Sequence, residues 1–252
     1  MIKILAIGNS FSRDATCFLH QIAKAAGVDT KVVNLYIGGC PLERHWINIT
    51  KKRDYYQYQI NGQVTDRYVS IDQALAEEDW DFVVTQQASH DSGWMDTYEP
   101  FLGKLIDYIK EKVPGARFVL HQTWAYELDS DHDNFGRYNC NQTEMYEKLS
   151  NCYKTMANKY DLPLIPCGDV IQKLRQTEPF HVQTGGISLC RDGFHMSFVY
   201  GRYALACTWA KKLLQISLQD NTFIPATEYE TVPADENLLA LIRKVVEESC
   251  RF

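Results

Sequence analysis

The sequence predicts an α/β fold, a parallel sheet layered between helices on both faces. Three observations carry that expectation. Strand-like and helix-like segments alternate along most of the chain, the pattern of repeated crossover connections. The first apolar run, Ile2 to Ile7, is continuous rather than alternating, as expected of a strand covered on both faces. Gly27 and Pro114-Gly115 then stand where helical segments must stop.

Taken in order, Lys3–Ile7 is the first strand, and Thr16–Ala26 is a helix that Gly27 ends. Lys31–Leu35 is the second strand. Ile71–Glu77 is a short helix before the third strand, Phe82–Thr85. The helix Tyr98–Lys112 stops at Pro114-Gly115, and Arg117–His121 is the fourth strand. Asn141–Tyr160 is a long helix leading to the fifth strand, Pro163–Ile165. Helices Val170–Arg175, Met196–Ile216 and Glu236–Glu248 complete the chain. With right-handed crossovers these elements form a three-layer α/β/α sandwich, its five-stranded parallel sheet in the order 2-1-3-4-5.

Two regions leave the alternation. Trp46 to Ser70 is aromatic (Tyr55, Tyr56, Tyr58, Tyr68) and contains Asn61-Gly62, a hairpin-turn signal. It suits a lid, a sugar-stacking wall, a dimer surface or plain packing. Glu127 to Cys140 is polar and acidic and is expected to be a loop after the fourth strand. The segment from Asn221, with two prolines and an acidic helix, is a peripheral brace. No linker interrupts the chain, so residues 1–252 are expected to form one domain, with insertions at about 46–70 and 127–140 and a peripheral segment at about 221–252.

Composition narrows the function. Across 252 residues, 45% are hydrophobic and 23% charged, enough apolar material for a real core. A net charge of −6 without a basic stripe argues against nucleic acid as a partner. Phe198 to Leu218 is interrupted by Arg202, Lys211 and Lys212, so it is a core-facing helix and not a membrane span. Met1-Ile2-Lys3 leads straight into a strand without the apolar core of a signal peptide. The eight cysteines are scattered, with no Cys-x-x-Cys pair, as suits free thiols in a reducing, cytoplasmic setting.

Two short segments carry the chemistry. Gly8-Asn9-Ser10-Phe11-Ser12 follows the first strand, at the carboxyl edge of the sheet where open α/β folds place their sites. Gly8 permits a sharp turn, and a serine there faces the free N–H groups of a helix start. Read alone, Ser10 or Ser12 serves equally well as a helix cap. Asp192-Gly193-Phe194-His195 changes that balance. A carboxylate three residues before an imidazole folds back onto one ring nitrogen and leaves the other free to accept a serine proton.

With these residues the chain resembles the SGNH (GDSL-type) hydrolase superfamily, in a divergent branch whose first block is Gly-Asn-Ser-Phe-Ser. The resemblance implies a flavodoxin-like sandwich, with Ser10 as nucleophile, His195 as base and Asp192 as its orienting partner. Asn9 replaces the aspartate of the family's Gly-Asp-Ser. The second block, a glycine donating its N–H to the oxyanion, matches Gly39, with Gly38 next. In the third block the family's asparagine is missing from Thr85-Gln86-Gln87-Ala88-Ser89-His90-Asp91, and Ser89 or Gln87 stands in its place. His90, Trp124 and Asn9 are expected near the substrate.

The resemblance implies ester hydrolysis without a cofactor. A small ester is the expected partner, with deacetylation of an acetylated carbohydrate the leading reaction and a short-chain lipase or thioesterase the runner-up. The altered third block instead favours a catalytically silent binding domain. His90, His121, His132 and His181, with Asp91, Asp131 and Asp133, match no metal-ligand spacing, so no metal is expected.

Overall fold

In the computed structural model, which describes residues 1–250, the chain runs β1 (Ile2–Gly8), α1 (Ser10–Thr16), α2 (Leu19–Ala25), β2 (Thr30–Tyr36), α3 (Leu42–Thr50), β3 (Tyr56–Ile60), β4 (Gln63–Val69), α4 (Ile71–Leu75), β5 (Phe82–Thr85), α5 (Phe101–Lys112), β6 (Arg117–His121), α6 (Gln142–Tyr160), β7 (Leu164–Ile165), α7 (Cys167–Arg175), α8 (Tyr200–Trp209) and α9 (Glu236–Ser249). β1 is the central strand. Its Ile4, Leu5, Ala6 and Ile7 are buried because helices cover both faces of the sheet, which accounts for the uninterrupted apolar run.

Strands β2, β1, β5, β6 and β7 are neighbours in parallel, the expected order 2-1-3-4-5. The sheet nevertheless has seven strands rather than five, in the order β4-β3-β2-β1-β5-β6-β7. The additional pair is the tyrosine-rich insertion, whose β3 and β4 form an antiparallel hairpin and extend the sheet beyond β2. Asn61 and Gly62 both take positive φ at its tip, as a two-residue hairpin turn demands. Tyr56, Tyr58 and Val69 give the hairpin a buried face. Its alternation is short and broken by a bulge between Gln57 and Gln59, so the pattern alone is a weak strand signal.

The helices differ at three places. The expected helix Thr16–Ala26 is two: α1 begins at Ser10, directly after β1, and α2 follows a break at Cys17-Phe18. α1 starts early because Asn9 caps it, its Oδ1 accepting the Phe11 N–H at 3.0 Å while Ser12 Oγ accepts the Asn9 N–H at 3.1 Å. α3 arises inside what reads as an irregular insertion. The helix expected over Met196–Ile216 starts only at Tyr200, because Met196 is drawn into a bridge with Cys190, and it ends in a π-helical turn, Ala210–Leu214.

The eight cysteines are free thiols. Among the described residues no helix is long and apolar enough to cross a membrane. The loops after β1, β2, β5 and β6 leave the same edge of the sheet, and the candidate site lies among them.

Candidate active site

Ser10 is the first residue of α1. The turn that presents it is fixed from below by Asn9, which is buried. Asn9 Oδ1 accepts Gln86 Nε2 at 2.8 Å, and its Nδ2 donates to the Cys40 carbonyl at 3.2 Å. One side chain thereby ties together the loops after β1, β2 and β5. A β-carbon on Gly8 would fall 2.4 Å from Ser12 Oγ, so the turn closes only around glycine. Ser12 is itself committed, with its Oγ 2.7 Å from Asn34 Oδ1 and 2.9 Å from the Asn9 carbonyl. Ser10 is half-buried, and among the described residues nothing is hydrogen-bonded to its hydroxyl.

Asp192 folds back onto His195 as the sequence suggests. Its Oδ2 lies 2.7 Å from His195 Nδ1, and its Oδ1 accepts the backbone N–H groups of His195 at 2.7 Å and Phe194 at 3.3 Å. Burial pushes the Asp192 carboxyl up. The His195 ring bond and these two N–H donors outweigh that and hold it below its ordinary value of 3.8. With Nδ1–H donated to Asp192, the neutral imidazole carries its lone pair on Nε2. Gly193 takes φ +79°, and a β-carbon there would meet Ser130 Cα at 2.7 Å. The acidic loop is therefore seated directly on this turn, and the Glu127 N–H donates to the Gly193 carbonyl at 2.6 Å.

Two sets of contacts bring the segments together. The Phe11 ring stacks on Trp124 at 4.1 Å and lies 6.0 Å from the His195 ring, while Trp124 Nε1 donates to the Phe194 carbonyl at 2.8 Å. One helical turn beyond Ser10, the fully buried Asp14 accepts the Met196 N–H at 3.0 Å, Arg191 Nη1 at 3.0 Å and Arg202 Nε at 2.8 Å. Sequence reading passed over Asp14. Its only signal is an acid four residues after Ser10, on the same helix face.

Gly39 sits in an exposed turn after β2 with φ +60°. The Ser10 and Gly39 N–H groups have no acceptor among the described residues. Of the two third-block candidates, Gln87 is spent on structure. Its Oε1 accepts the N–H groups of Leu42 at 3.0 Å and Ala88 at 2.8 Å, and its Nε2 donates to the Thr97 carbonyl at 2.8 Å. Among the described residues the Ser89 hydroxyl is bonded only to another hydroxyl, Tyr126 Oη, at 2.9 Å.

The remaining expected residues separate. Asn9 and Trp124 are buried in the scaffold beneath the site. His90 is half-buried, with its ring 6.3 Å from that of His132, which packs 4.8 Å from Phe194. Burial, and then the neighbouring His90 and His195 rings, push the His132 imidazole below its usual value. His121 is fully buried against Gln86 Oε1, and burial pushes it down to about 3. His181 lies 3.8 Å from Glu178 and away from the others. Among the described residues no group of three or more His, Cys, Asp or Glu is placed to hold a metal ion.

Beside α1 lies a cavity of about 680 Å³ between the hairpin tip and the segment around 223–229, lined by Arg13, Gln21, Gln63, Phe18, Phe223 and Tyr229. Ser10 and His195 are not on its wall.

A family model described as "Domain of unknown function (DUF4886)" matches residues 3–240. The crystal structure of a DUF4886 family protein from Bacteroides uniformis is 36% identical to this chain. It superposes with a TM-score of 0.88, over 98% of this chain and 94% of that one. Axe2, an acetylxylan esterase from Geobacillus stearothermophilus, is 14% identical and superposes with a TM-score of 0.56, over 84% of this chain and 93% of its own. TesA is 16% identical with a TM-score of 0.54, over 84% of this chain and 97% of its own. These two similarities carry the fold, that of the SGNH hydrolases. No curated protein matches the chain.

Proposed function

The chain belongs to the DUF4886 family, and on that premise we propose that it is a serine-dependent carboxylic ester hydrolase. The observation that carries this reading is the 2.7 Å contact from Asp192 to His195 Nδ1, on a turn packed against Phe11, the neighbour of Ser10. In this reading Ser10 Oγ attacks the ester carbonyl while His195 Nε2 takes its proton. Asp192 holds the ring and stabilises the imidazolium that forms. The Ser10 and Gly39 N–H groups, with the Ser89 hydroxyl, hold the oxyanion. The imidazolium then protonates the departing alcohol, and His195 next activates a water that releases the acid and regenerates Ser10.

An acetylated carbohydrate, which the enzyme deacetylates, is the substrate class we favour. The polar, aromatic insertions of the chain suit sugar hydroxyls and faces better than a long acyl chain. Axe2, which shares the fold, is an acetylxylan esterase. A silent binding domain is the second reading, favoured by the full engagement of the Gln87 amide. Both are tested by assaying wild type and Ser10→Ala on p-nitrophenyl acetate and on acetylated xylo-oligosaccharides. Ester hydrolysis predicts turnover that Ser10→Ala abolishes, with the sugar ester preferred. Equal rates for the two proteins contradict it, and no turnover of any ester favours the silent domain.

A further inference from the structure

The segment carrying Asp192 and His195 is a closed loop. Cys190 bridges Met196 across its neck, the Arg191 N–H donates to the His195 carbonyl at 2.9 Å, and Arg191 Nη1 donates to the Met196 carbonyl. Inside it, among the described residues, the Asp192 carboxylate is bonded only to residues of the same turn. The acid and the imidazole are thus bonded to each other within one turn, which Glu127 and Trp124 brace from outside through the Gly193 and Phe194 carbonyls. Their distance from Ser10 is a separate matter, settled where the loop's neck meets α1.

That junction is Asp14. Its carboxylate is fully buried and receives the Met196 N–H at the neck, the Arg191 guanidinium that spans the neck, and Arg202 from the first turn of α8. The Phe198 ring lies against both guanidiniums at 4.8 Å, which keeps them in place. A buried ion cluster of this kind is often replaceable by apolar side chains with no loss of stability. What apolar packing does not supply is direction: three donors meeting two carboxylate oxygens fix position and orientation together. Asp14 and Ser10 are four apart on one helix, so the carboxylate lies one turn below the hydroxyl on the same face.

We propose that Asp14 is a positioning residue that holds the His195 loop in register with Ser10. The inference rests on the esterase reading for its consequence in catalysis, though not for the docking of the loop.

The test compares wild type with Asp14→Asn and Arg191→Gln, the second variant serving if the first fails to fold. Two quantities are read on the folded proteins: hydrogen exchange of the backbone across 190–197, and kcat and KM on p-nitrophenyl acetate per fluorophosphonate-reactive serine. A loosened loop predicts faster exchange confined to 190–197, kcat per reactive serine lower by about 100-fold in Asp14→Asn, and KM within about twofold of wild type. Arg191→Gln moves the same way by less. Unchanged exchange across 190–197 overturns the proposal. So does a full kcat per reactive serine with merely fewer reactive molecules, which is what a purely structural role predicts. Activity that survives Ser10→Ala overturns the esterase reading instead, and the exchange measurement then decides the docking role by itself.

Discussion

The ring of Phe11 lies 6.0 Å from that of His195, tilted by 56°, so the residue after Ser10 forms part of the floor on which the imidazole rests. The same ring stacks on Trp124 at 4.1 Å, and Trp124 in turn holds the Phe194 carbonyl. Phe11→Ala is expected to cost about 3–5 kcal/mol of stability through the cavity it leaves. Phe11→Leu, which keeps most of the volume, should lose less than half of that. Urea unfolding of the two variants checks the ordering.

Ser89 and Gln87 should part company under substitution. Ser89→Ala removes the proposed oxyanion donor and is expected to lower kcat by about 100-fold or more, with a stability cost of about 1 kcal/mol from the buried Tyr126 hydroxyl it leaves unpaired. Gln87→Ala strands the Leu42 and Ala88 N–H groups and is expected to cost about 1–3 kcal/mol of stability. Paired kinetics and thermal melts distinguish them. If Gln87→Ala lost activity at full stability while Ser89→Ala kept it, the assignment would be reversed.

Gly193→Ala should damage the site more than the fold. The positive φ alone costs an alanine about 1–2 kcal/mol, and the added β-carbon meets Ser130. Shifting that turn moves His195, so kcat is expected to fall at least about tenfold. A double variant with Ser130→Gly removes the Ser130 Cβ and Oγ but keeps its Cα, 2.7 Å from the added carbon, as well as the backbone strain, and should recover little of the rate.

Acid should weaken the fold well above the carboxylate range. Burial pushes His45 and His121 down to about 3, against 6.5 for an ordinary imidazole. The unfolded chain therefore takes up both protons first. Stability present at neutral pH is lost as pH falls through 6.5, and the loss levels off near 3. Between pH 7 and pH 5 each histidine accounts for about 2 kcal/mol. Urea midpoints measured across that interval test this, and a flat profile would contradict it.

Much of the scaffold was legible because its signals are local. The runs at Ile2–Ile7 and Phe82–Thr85 are short, apolar and rich in β-branched residues, and the segments that become α5 and α6 are long enough to read as helices, though α5 starts three residues later than expected, at Phe101. The Asp192–His195 contact was legible for the same reason, since both partners sit in one turn. The hairpin β3–β4 was visible as a turn but not as sheet, because its pairing with β2 is a tertiary choice. Asp14 was invisible: four positions beyond Ser10 it looks like any polar helix residue, and its partners lie on the far side of the sequence. Gln87 shows the opposite error. Its amide suits an oxyanion donor on paper, and only the fold reveals that Leu42 and Thr97 already occupy it.

The most direct test of the central claim is to treat the protein with a fluorophosphonate and map the adduct by mass spectrometry. The account predicts one adduct per chain, on Ser10, lost in Ser10→Ala and formed far more slowly in His195→Ala. An unmodified Ser10 in a preparation that hydrolyses esters, or an adduct on another residue that accounts for the inactivation, would contradict it.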